Sequence, residues 1–225
     1  MKDINKENQV LETFWDNAFK EFQPCVATED DLEITGNLEE ELLFINDSCK
    51  KIIDIGCGNG LMLMKMAFHN QGNTYLGIDS SSSGVAFASK TSKLSKLEHL
   101  TFEVGNLETI KKITTYSYDG IISSNFLDVI PLDTAKLFIP EIIRILDKTG
   151  YLLLKVNFII DKPETIKPGF VFNDDGVFID GVLRSTNKDD EFWINSFKPL
   201  RLIKKDYYQR NPIGPKDRIF VFKKD

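Results

Sequence analysis

Lys51-Ile-Ile-Asp-Ile-Gly-Cys-Gly-Asn-Gly60 carries the strongest structural signal in this 225-residue chain. A run of β-branched apolar residues, typical of a buried strand, ends in an acid and then in glycines at alternate positions, Gly56, Gly58 and Gly60. A helix-like apolar segment begins at Leu61. The pattern predicts a strand, a tight turn and a helix start, where glycines without a Cβ would let a ligand lie against the main chain.

The spacing of the glycines narrows the kind of ligand. A dinucleotide fingerprint, G-x-G-x-x-G, would need its third glycine at the position of Leu61. A phosphate-gripping P-loop would need a Lys followed by Ser or Thr after a longer glycine spacing, and Leu61-Met62-Leu63 supplies neither. The loop therefore disfavours a nicotinamide cofactor and excludes a P-loop nucleotide site.

The stretch Asp54-Ile-Gly-Cys-Gly-Asn-Gly60 resembles motif I of the class I S-adenosylmethionine-dependent methyltransferases, in which the first strand ends in acid-x-G-x-G-x-G. This resemblance implies that S-adenosylmethionine is the cofactor. It also implies that the acid and the loop contact that cofactor, through Asp54, Gly56, Cys57, Gly58, Asn59 and Gly60.

Further strands follow in the expected order. Apolar runs at 74–79, 100–106, 118–124 and 150–158 alternate with segments that can form helices. Asp79 ends the second strand about 25 residues beyond Asp54, near the roughly 20-residue spacing of a ribose-binding carboxylate. The alternation predicts an α/β fold with a mostly parallel, doubly wound, Rossmann-like sheet and helices on both faces. Ligands of such sheets bind beyond the carboxyl ends of the strands.

The tail departs from this alternation. Two strand-like runs, 201–209 and 218–222, flank a turn-rich segment at 211–217, which predicts an antiparallel hairpin. The resemblance implies that this hairpin completes a seven-stranded sheet with an antiparallel last strand. A second turn-rich stretch, 169–183, predicts an added hairpin or flap, and 189–197 predicts a short helix.

We expect residues 1–225 to form a single methyltransferase domain. Residues 1–50 would form an N-terminal helical cap, 51–160 the cofactor-binding core, and 161–225 the substrate-side insertion and C-terminal hairpin. A helix is also predicted from about Thr134, because apolar residues recur at helical spacing as far as Leu146. Pro140 interrupts it, so either the helix kinks there or its first turn begins there.

The N-terminal segment 8–22 has the apolar spacing of an amphipathic helix, with Leu11, Trp15, Ala18 and Phe22 on one face. This face packs on the sheet in the simpler interpretation. The resemblance suggests instead that the helix folds over the cofactor and closes the substrate pocket, which would bring Trp15 into contact with a ligand.

The resemblance implies further site residues at the ends of later strands. Ser80 would lie close to the ribose, and Asn106 with Leu107 would hold the adenine, although relatives commonly have an acid where this chain has Asn106. Ser124 and Asn125 would contact cofactor and acceptor.

Asp128 falls where many relatives carry a histidine. It is the candidate catalytic residue, a carboxylate that could orient an amine or hydroxyl or accept its proton. The alternative is an acid that caps the next helix.

The composition of the chain restricts the partners, the cellular location and the metal sites that we expect. The net charge is −6, from 28 basic and 34 acidic residues, which makes nucleic acid an improbable partner. No long apolar run or signal sequence is present, so we expect a cytoplasmic protein without membrane association, as a monomer or homodimer. Three cysteines without a C-x-x-C pair and two histidines predict no metal site.

The sequence thus predicts an S-adenosylmethionine-dependent methyltransferase that acts on nitrogen or oxygen of a small-molecule acceptor. Two alternatives stay open. A short, gapped similarity between 175–197 and the protein N-terminal-amine methyltransferases suggests a protein or peptide acceptor, and the cofactor motifs are equally compatible with a non-catalytic S-adenosylmethionine-binding module. A dehydrogenase ranks third.

Overall fold

The computed structural model describes residues 4–163, 165–209 and 213–225. In these ranges, seven strands form a central sheet in the order β3-β2-β1-β4-β5-β10-β9. The strands are β1 (Lys51–Ile55), β2 (Thr74–Asp79), β3 (Leu100–Val104), β4 (Tyr118–Ser124), β5 (Leu146–Val156), β9 (Arg201–Gln209) and β10 (Lys216–Lys223). The first five pair in parallel, and β10 runs antiparallel to both of its neighbours. The predicted Rossmann-like sheet with an antiparallel last strand is confirmed.

Helices cover both faces of this sheet. One face packs against α5 (Leu107–Lys112), α6 (Leu132–Ile145) and α7 (Asp190–Ser196). The other packs against α2 (Gly36–Ser48) and α3 (Leu61–His69), with α4 (Ser82–Leu94) beside β2 and β3. The central strands are apolar on both sides because both sides are covered, and Ile52 and Ile53 of β1 are fully buried against opposite clusters.

Helix α6 resolves the alternatives at Pro140. The helix begins at Leu132 and continues through Pro140 to Ile145, so a first turn at Pro140 is wrong. Its apolar face, which includes Ala135, Phe138 and Ile142, is buried in the core. The periodic pattern therefore identified the helix correctly on both sides of the proline.

The N-terminal helix α1 spans Ile4–Lys20, two residues short of its predicted end at Phe22. Phe22 follows the helix and lies 5.5 Å from the ring of Phe87 on α4. Helix α1 also contacts β8 (Val182–Ser185) and the start of α6, where Thr134 Oγ1 and Asn8 Oδ1 are 3.1 Å apart. The helix thus crosses above the carboxyl ends of the strands.

The predicted flap is a separate three-stranded antiparallel sheet of β6 (Phe170–Asn173), β7 (Gly176–Ile179) and β8 (Val182–Ser185). It contacts α1 through the guanidinium of Arg184, 4.2 Å from the centre of the Phe14 ring. The predicted turn at 211–217 is only partly observable, because 211 and 212 lie outside the described residues. Lys216 and Asp217, expected in that turn, already belong to β10.

No α-helix in the described ranges combines the length and apolar character required to cross a lipid bilayer.

Candidate cofactor and acceptor site

A cavity of about 870 Å³ opens at the carboxyl ends of β1, β2, β4 and β5, beneath α1. Its size lies within the roughly 300–1,000 Å³ range of small-molecule sites. Most of the residues predicted for the site line it: Trp15, Asp54, Gly56, Cys57, Gly58, Asn59, Asp79, Ser80, Asn106, Leu107, Ser124 and Asn125. Gly60 and Asp128, both among the described residues, are not part of its wall.

Four main-chain N–H groups of the glycine loop donate to acceptors within the protein. Gly56 N and Cys57 N donate to the carbonyl oxygen of Ile78, Gly58 N donates to Asp79 Oδ2 at 2.8 Å, and Gly60 N donates to Cys57 O. A phosphate-binding loop needs such donors free and aimed at the ligand. The carboxylate of Asp79 would also repel an anion here. This arrangement is unsuited to a nucleotide phosphate and suits a ligand without one.

Phenylalanine rings pack against the loop glycines. Gly56, Gly58 and Gly60 have φ angles of 80°, 54° and 79°, in the left-handed region. A Cβ at Gly58 would lie 2.9 Å from Cζ of Phe19 on α1, and one at Gly60 would lie 2.5 Å from Cζ of Phe102. At all three glycines the protein's own side chains occupy the space that a Cβ would need, Phe126 at Gly56 included, while Gly56 and Gly58 still line the cavity.

Asp79 ends β2 and faces the cavity with both oxygens engaged. Oδ2 accepts from Gly58 N, and Oδ1 accepts from Ser81 N at 2.8 Å. Burial raises the pKa of this carboxyl group, and the main-chain hydrogen bonds from Ser81 and Gly58 lower it in part. Each carboxylate oxygen can accept more than one hydrogen bond, so both could still receive a hydroxyl.

Asp54 lies below the loop, 1% exposed, and its Oδ1 has no hydrogen-bond partner among the described atoms. Burial raises its pKa to about 8, with a further contribution from the nearby charge of Asp79. Two carboxyl groups held in one buried region repel each other when both are ionised. A cationic ligand would relieve that repulsion.

The residues that follow β2 and β3 cap the next helices and line the cavity. Ser81 caps α4 by accepting from Gly84 N, and its neighbour Ser80 lines the cavity. Asn106 caps α5, with Oδ1 accepting from Glu108 N at 3.0 Å, and also lines the cavity. The four consecutive serines Ser80–Ser83, the serine run, therefore supply the N-cap of α4 through Ser81.

The structure corrects the expected placement of Asp128. Its side chain is 1% exposed, and Oδ2 accepts hydrogen bonds from the main-chain and side-chain nitrogens of Asn157, just after β5. It is not the helix cap either, because α6 is preceded by Pro131 as its N-cap. Asp128 instead joins the turn after β4 to the chain after β5. Its carboxylate does not reach the cavity and is no longer a candidate base.

Sequence reasoning missed a charged cluster where β4 and β5 meet the cavity. Lys155, which lines the cavity, is paired with Asp217 of β10 at 2.6 Å and also donates to Asn125 Oδ1. Its ammonium lies 5.4 Å from the ring centre of Tyr208 on β9. A signal was available: Lys155 interrupts an otherwise apolar run near the carboxyl end of a central strand.

The cavity is strongly acidic. The described residues of its wall include five carboxylates and a single basic residue, Lys155. The acids are Glu12, Glu33, Asp54, Asp79 and Glu108. Burial and the charge of Asp79 raise the pKa of Glu12, on α1. A lining of this kind favours cationic or neutral ligands over anionic ones.

The site shows no metal-binding cluster among the described residues, and its cysteine, Cys57, is buried. Within the described part of the chain, no group of three or more His, Cys, Asp and Glu residues could hold a metal ion. Cys57 is 7% exposed, and burial raises the pKa of its thiol well above the ordinary value. Cys57 is therefore a small, buried residue in the tight turn of the glycine loop.

Comparisons with known proteins agree with this geometry. The sequence profile of a family described as "Methyltransferase domain" matches residues 46–167, more than half of the chain. An uncharacterized RNA methyltransferase of Protochlamydia amoebophila is 38% identical over 71 residues, which cover 32% of this chain. The matched region spans only 16% of that relative's length.

Solved structures share the fold at low sequence identity. The 1,6-didemethyltoxoflavin-N1-methyltransferase of Burkholderia thailandensis, with bound 1,6-didemethyltoxoflavin and S-adenosylhomocysteine, is similar over 100% of this chain and 91% of its own, with a TM-score of 0.70 and 12% identity. An S-adenosylmethionine-dependent methyltransferase of Methanosarcina mazei is similar over 77% of this chain and 92% of its own, with a TM-score of 0.59 and 19% identity.

With the matching profile, the glycine loop and the sheet order all in agreement, the chain belongs to the methyltransferase-domain family, and within it to the class I S-adenosylmethionine-dependent methyltransferases.

Proposed function

We propose that this protein transfers a methyl group from S-adenosylmethionine to a nitrogen or oxygen atom of a small-molecule acceptor, within the cavity under α1. The observation that carries the proposal is the hydrogen bond from Gly58 N to Asp79 Oδ2. It places a carboxylate where a dinucleotide-binding loop would hold phosphate, and it favours a cofactor that is cationic and free of phosphate.

The predicted cofactor residues fit such a ligand. Asp79 and Ser80 would hold the ribose, because the Asp79 oxygens can accept hydroxyl hydrogen bonds beyond those from Gly58 and Ser81. Asn106 and Leu107 would contact the adenine. Asp54, the glycine loop, Ser124 and Asn125 would surround the remaining amino-acid portion. When bound, S-adenosylmethionine supplies a methyl group on a positively charged sulfur.

The protein's own contribution would be positioning. Holding two reactants in attack geometry can supply roughly 7–11 kcal/mol of barrier reduction, so a dedicated base is not required. This agrees with the position of Asp128, whose buried side chain does not line the cavity. Trp15 and Phe19 of α1 would exclude water from above, while Asn125 and Lys155 would bound the acceptor from the β4 and β5 side.

The charge of the cavity supports a neutral or cationic acceptor. Five acidic residues, of which Asp54 with its pKa of about 8 is largely neutral at pH 7, and one ammonium disfavour a phosphate-bearing acceptor, which argues against nucleic acid, as does the net charge of −6. An amine fits this lining well. The covered cavity supports an enzyme over a non-catalytic module, for which an open apolar face would be expected.

Two measurements test the proposal. Titration calorimetry should detect S-adenosylmethionine and S-adenosylhomocysteine, whereas NAD should give no heat of binding. Transfer of labelled methyl groups should then be measured over a panel of amines, phenols, peptides and RNA, with the small amines and phenols as the expected acceptors. Binding of NAD alone would reject the cofactor assignment, and methylation confined to RNA or peptides would reject the acceptor class.

A further inference from the structure

A single carboxylate on α1 receives several hydrogen bonds from the start of α4. Asp16 Oδ1 accepts from Ser83 N at 2.8 Å, from Ser81 Oγ at 2.9 Å and from Ser82 Oγ at 3.2 Å. The main-chain bond from Ser83 lowers the pKa of Asp16 far below its usual value, and the side chain is 22% exposed. The serine run therefore binds an acid from another helix, in addition to capping its own.

The same serine run is bound to the proposed ribose acid. Ser81 N donates to Asp79 Oδ1, while Ser81 Oγ donates to Asp16. Asp79 in turn accepts from Gly58 N through its other oxygen. A continuous series of hydrogen bonds thus runs from the glycine loop through Asp79 and Ser81 to α1.

One turn beyond Asp16, the ring of Phe19 lies directly on the glycine loop. A Cβ at Gly58 or at Gly84 would come within 2.9 Å of this ring. Trp15 stacks on Phe19 with ring centres 6.1 Å apart. Both aromatic residues line the cavity, so the position of α1 decides whether the cavity is covered.

We propose that Asp16 is a positioning residue that holds α1 closed over the cofactor and, through Ser81, couples contact at Asp79 to closure of the helix. This rests on the proposed cofactor site. A ligand that orders Asp79 also orders Ser81, which is the donor to Asp16. In the reverse direction, loss of Asp16 frees Phe19 and Trp15 to leave the cavity. Asp16 therefore governs how long the cofactor stays bound.

The dipole of α4 explains why an acidic residue, Asp16, is suited to bind the N-terminus of this helix. The first turn of α4 carries partial positive charge and unsatisfied N–H groups, which a carboxylate binds well. Asp16 satisfies one such N–H group directly, that of Ser83, and also binds two hydroxyls. An Asp16→Asn variant would keep one acceptor oxygen but lose the charge.

The test measures release of labelled S-adenosylhomocysteine into an excess of unlabelled compound. Asp16→Ala should raise the dissociation rate constant about tenfold or more, since hydrogen bonds to charged groups contribute roughly 1.5–3 kcal/mol and 1.4 kcal/mol corresponds to tenfold. Asp16→Asn should give an intermediate value. Glu7→Ala, an acid of the same helix that is not on the cavity wall, is the matched control and should match the wild type.

A dissociation rate unchanged in a folded Asp16→Ala variant would overturn the proposal. Hydrogen exchange in α1 of the ligand-free protein provides an independent measurement. It should be faster in the Asp16→Asn variant than in the wild type, and unaffected in Glu7→Ala; equal exchange would also overturn the proposal. If the wild type binds no S-adenosylhomocysteine, the proposed cofactor site fails, while exchange still reports on the contact between Asp16 and α4.

Discussion

Lys155 Nζ lies 2.6 Å from Asp217 Oδ2, and each side chain is only 2% exposed. The pair joins the end of β5 to the start of β10 at the wall of the cavity. Burying two charges costs several kcal/mol per ion before their mutual attraction is gained, so such pairs rarely add much net stability. Through the hydrogen bond from Lys155 to Asn125, the pair also fixes part of the cavity wall.

Removal of one partner should be much more harmful than removal of both. Lys155→Met removes the ammonium that lies 2.6 Å from the buried Asp217 carboxylate and should lower the free energy of unfolding by up to about 3–5 kcal/mol. The double variant Lys155→Met, Asp217→Leu should recover most of this loss. Urea denaturation of the single and double variants provides the comparison. A double variant as unstable as the single one would show that the charges are not coupled.

Substitutions at Gly58 and Gly36 can separate the cost of backbone strain from the cost of a steric clash between a new Cβ and a neighbouring side chain. Both have positive φ angles, 54° and 61°, but a Cβ at Gly36 meets nothing within 4 Å, whereas one at Gly58 meets Phe19. Gly36→Ala should therefore cost only the strain, about 1–2 kcal/mol, and leave affinity for S-adenosylhomocysteine intact.

The corresponding substitution Gly58→Ala should incur the same strain, displace Phe19 and weaken cofactor binding. Calorimetry and thermal melting of the two variants measure both effects. Equal cofactor affinity in the two variants would show that the packing of Phe19 on the loop does not affect cofactor binding.

Asp79 should contribute to cofactor affinity through the ribose. Asp79→Ala is expected to weaken binding of S-adenosylhomocysteine by about 1.5–3 kcal/mol, the contribution typical of hydrogen bonds to charged groups. Because Asp79 also binds Gly58 N and Ser81 N, the same variant should be titrated with an analogue that lacks the ribose hydroxyls. A loss that is as large for the analogue as for the parent compound would assign the effect to the loop and not to the ribose.

Asp54 should make the ligand-free protein less stable as pH rises. With the folded-state pKa raised to about 8, Asp54 stays protonated in the folded protein over a range where it is ionised in the unfolded chain. The unfolded chain then binds fewer protons, so stability falls from about pH 4 to pH 8, by at most about 1.4 kcal/mol per pH unit for this group. Above that range both states are ionised and the dependence ends.

Urea denaturation from pH 5 to pH 9 measures this effect. Asp79 and Asp128 also have raised pKa values, so the informative quantity is the difference between the wild type and Asp54→Asn. The substitution should flatten the profile. Identical profiles would mean that Asp54 does not titrate as its burial indicates.

Much of the fold could be predicted from local patterns. The glycine loop, the strand ending at Asp79 and the apolar face of α6 each follow from the residue spacing within one short segment. The boundaries of α1 differed by a few residues, because helix ends depend on packing as well as on spacing. The flap was recognised from its turns, although its third strand was not.

The candidate site was only half predictable. Residues after β1, β2 and β3 were found because their motif and strand-end positions are visible in the chain. Asp128 was misplaced because its partner, Asn157, follows a different strand, β5, and no local pattern records that pairing. Asp16 escaped notice for the same reason, since it acts through Ser81, 65 positions away. Lys155 had a local signal in the apolar run of β5, but its partner Asp217 lies 62 positions away and could not be recognised from the sequence.

The order of residues in this chain was sufficient for the α/β architecture and the cofactor loop, because turn chemistry and apolar periodicity act over a few neighbouring residues. The tertiary structure alone decided that phenylalanine rings cover the glycines, that Asp16 is bound to the start of α4, and that Lys155 meets Asp217. Those contacts join distant segments, and they exist only once the sheet has brought its strand ends together.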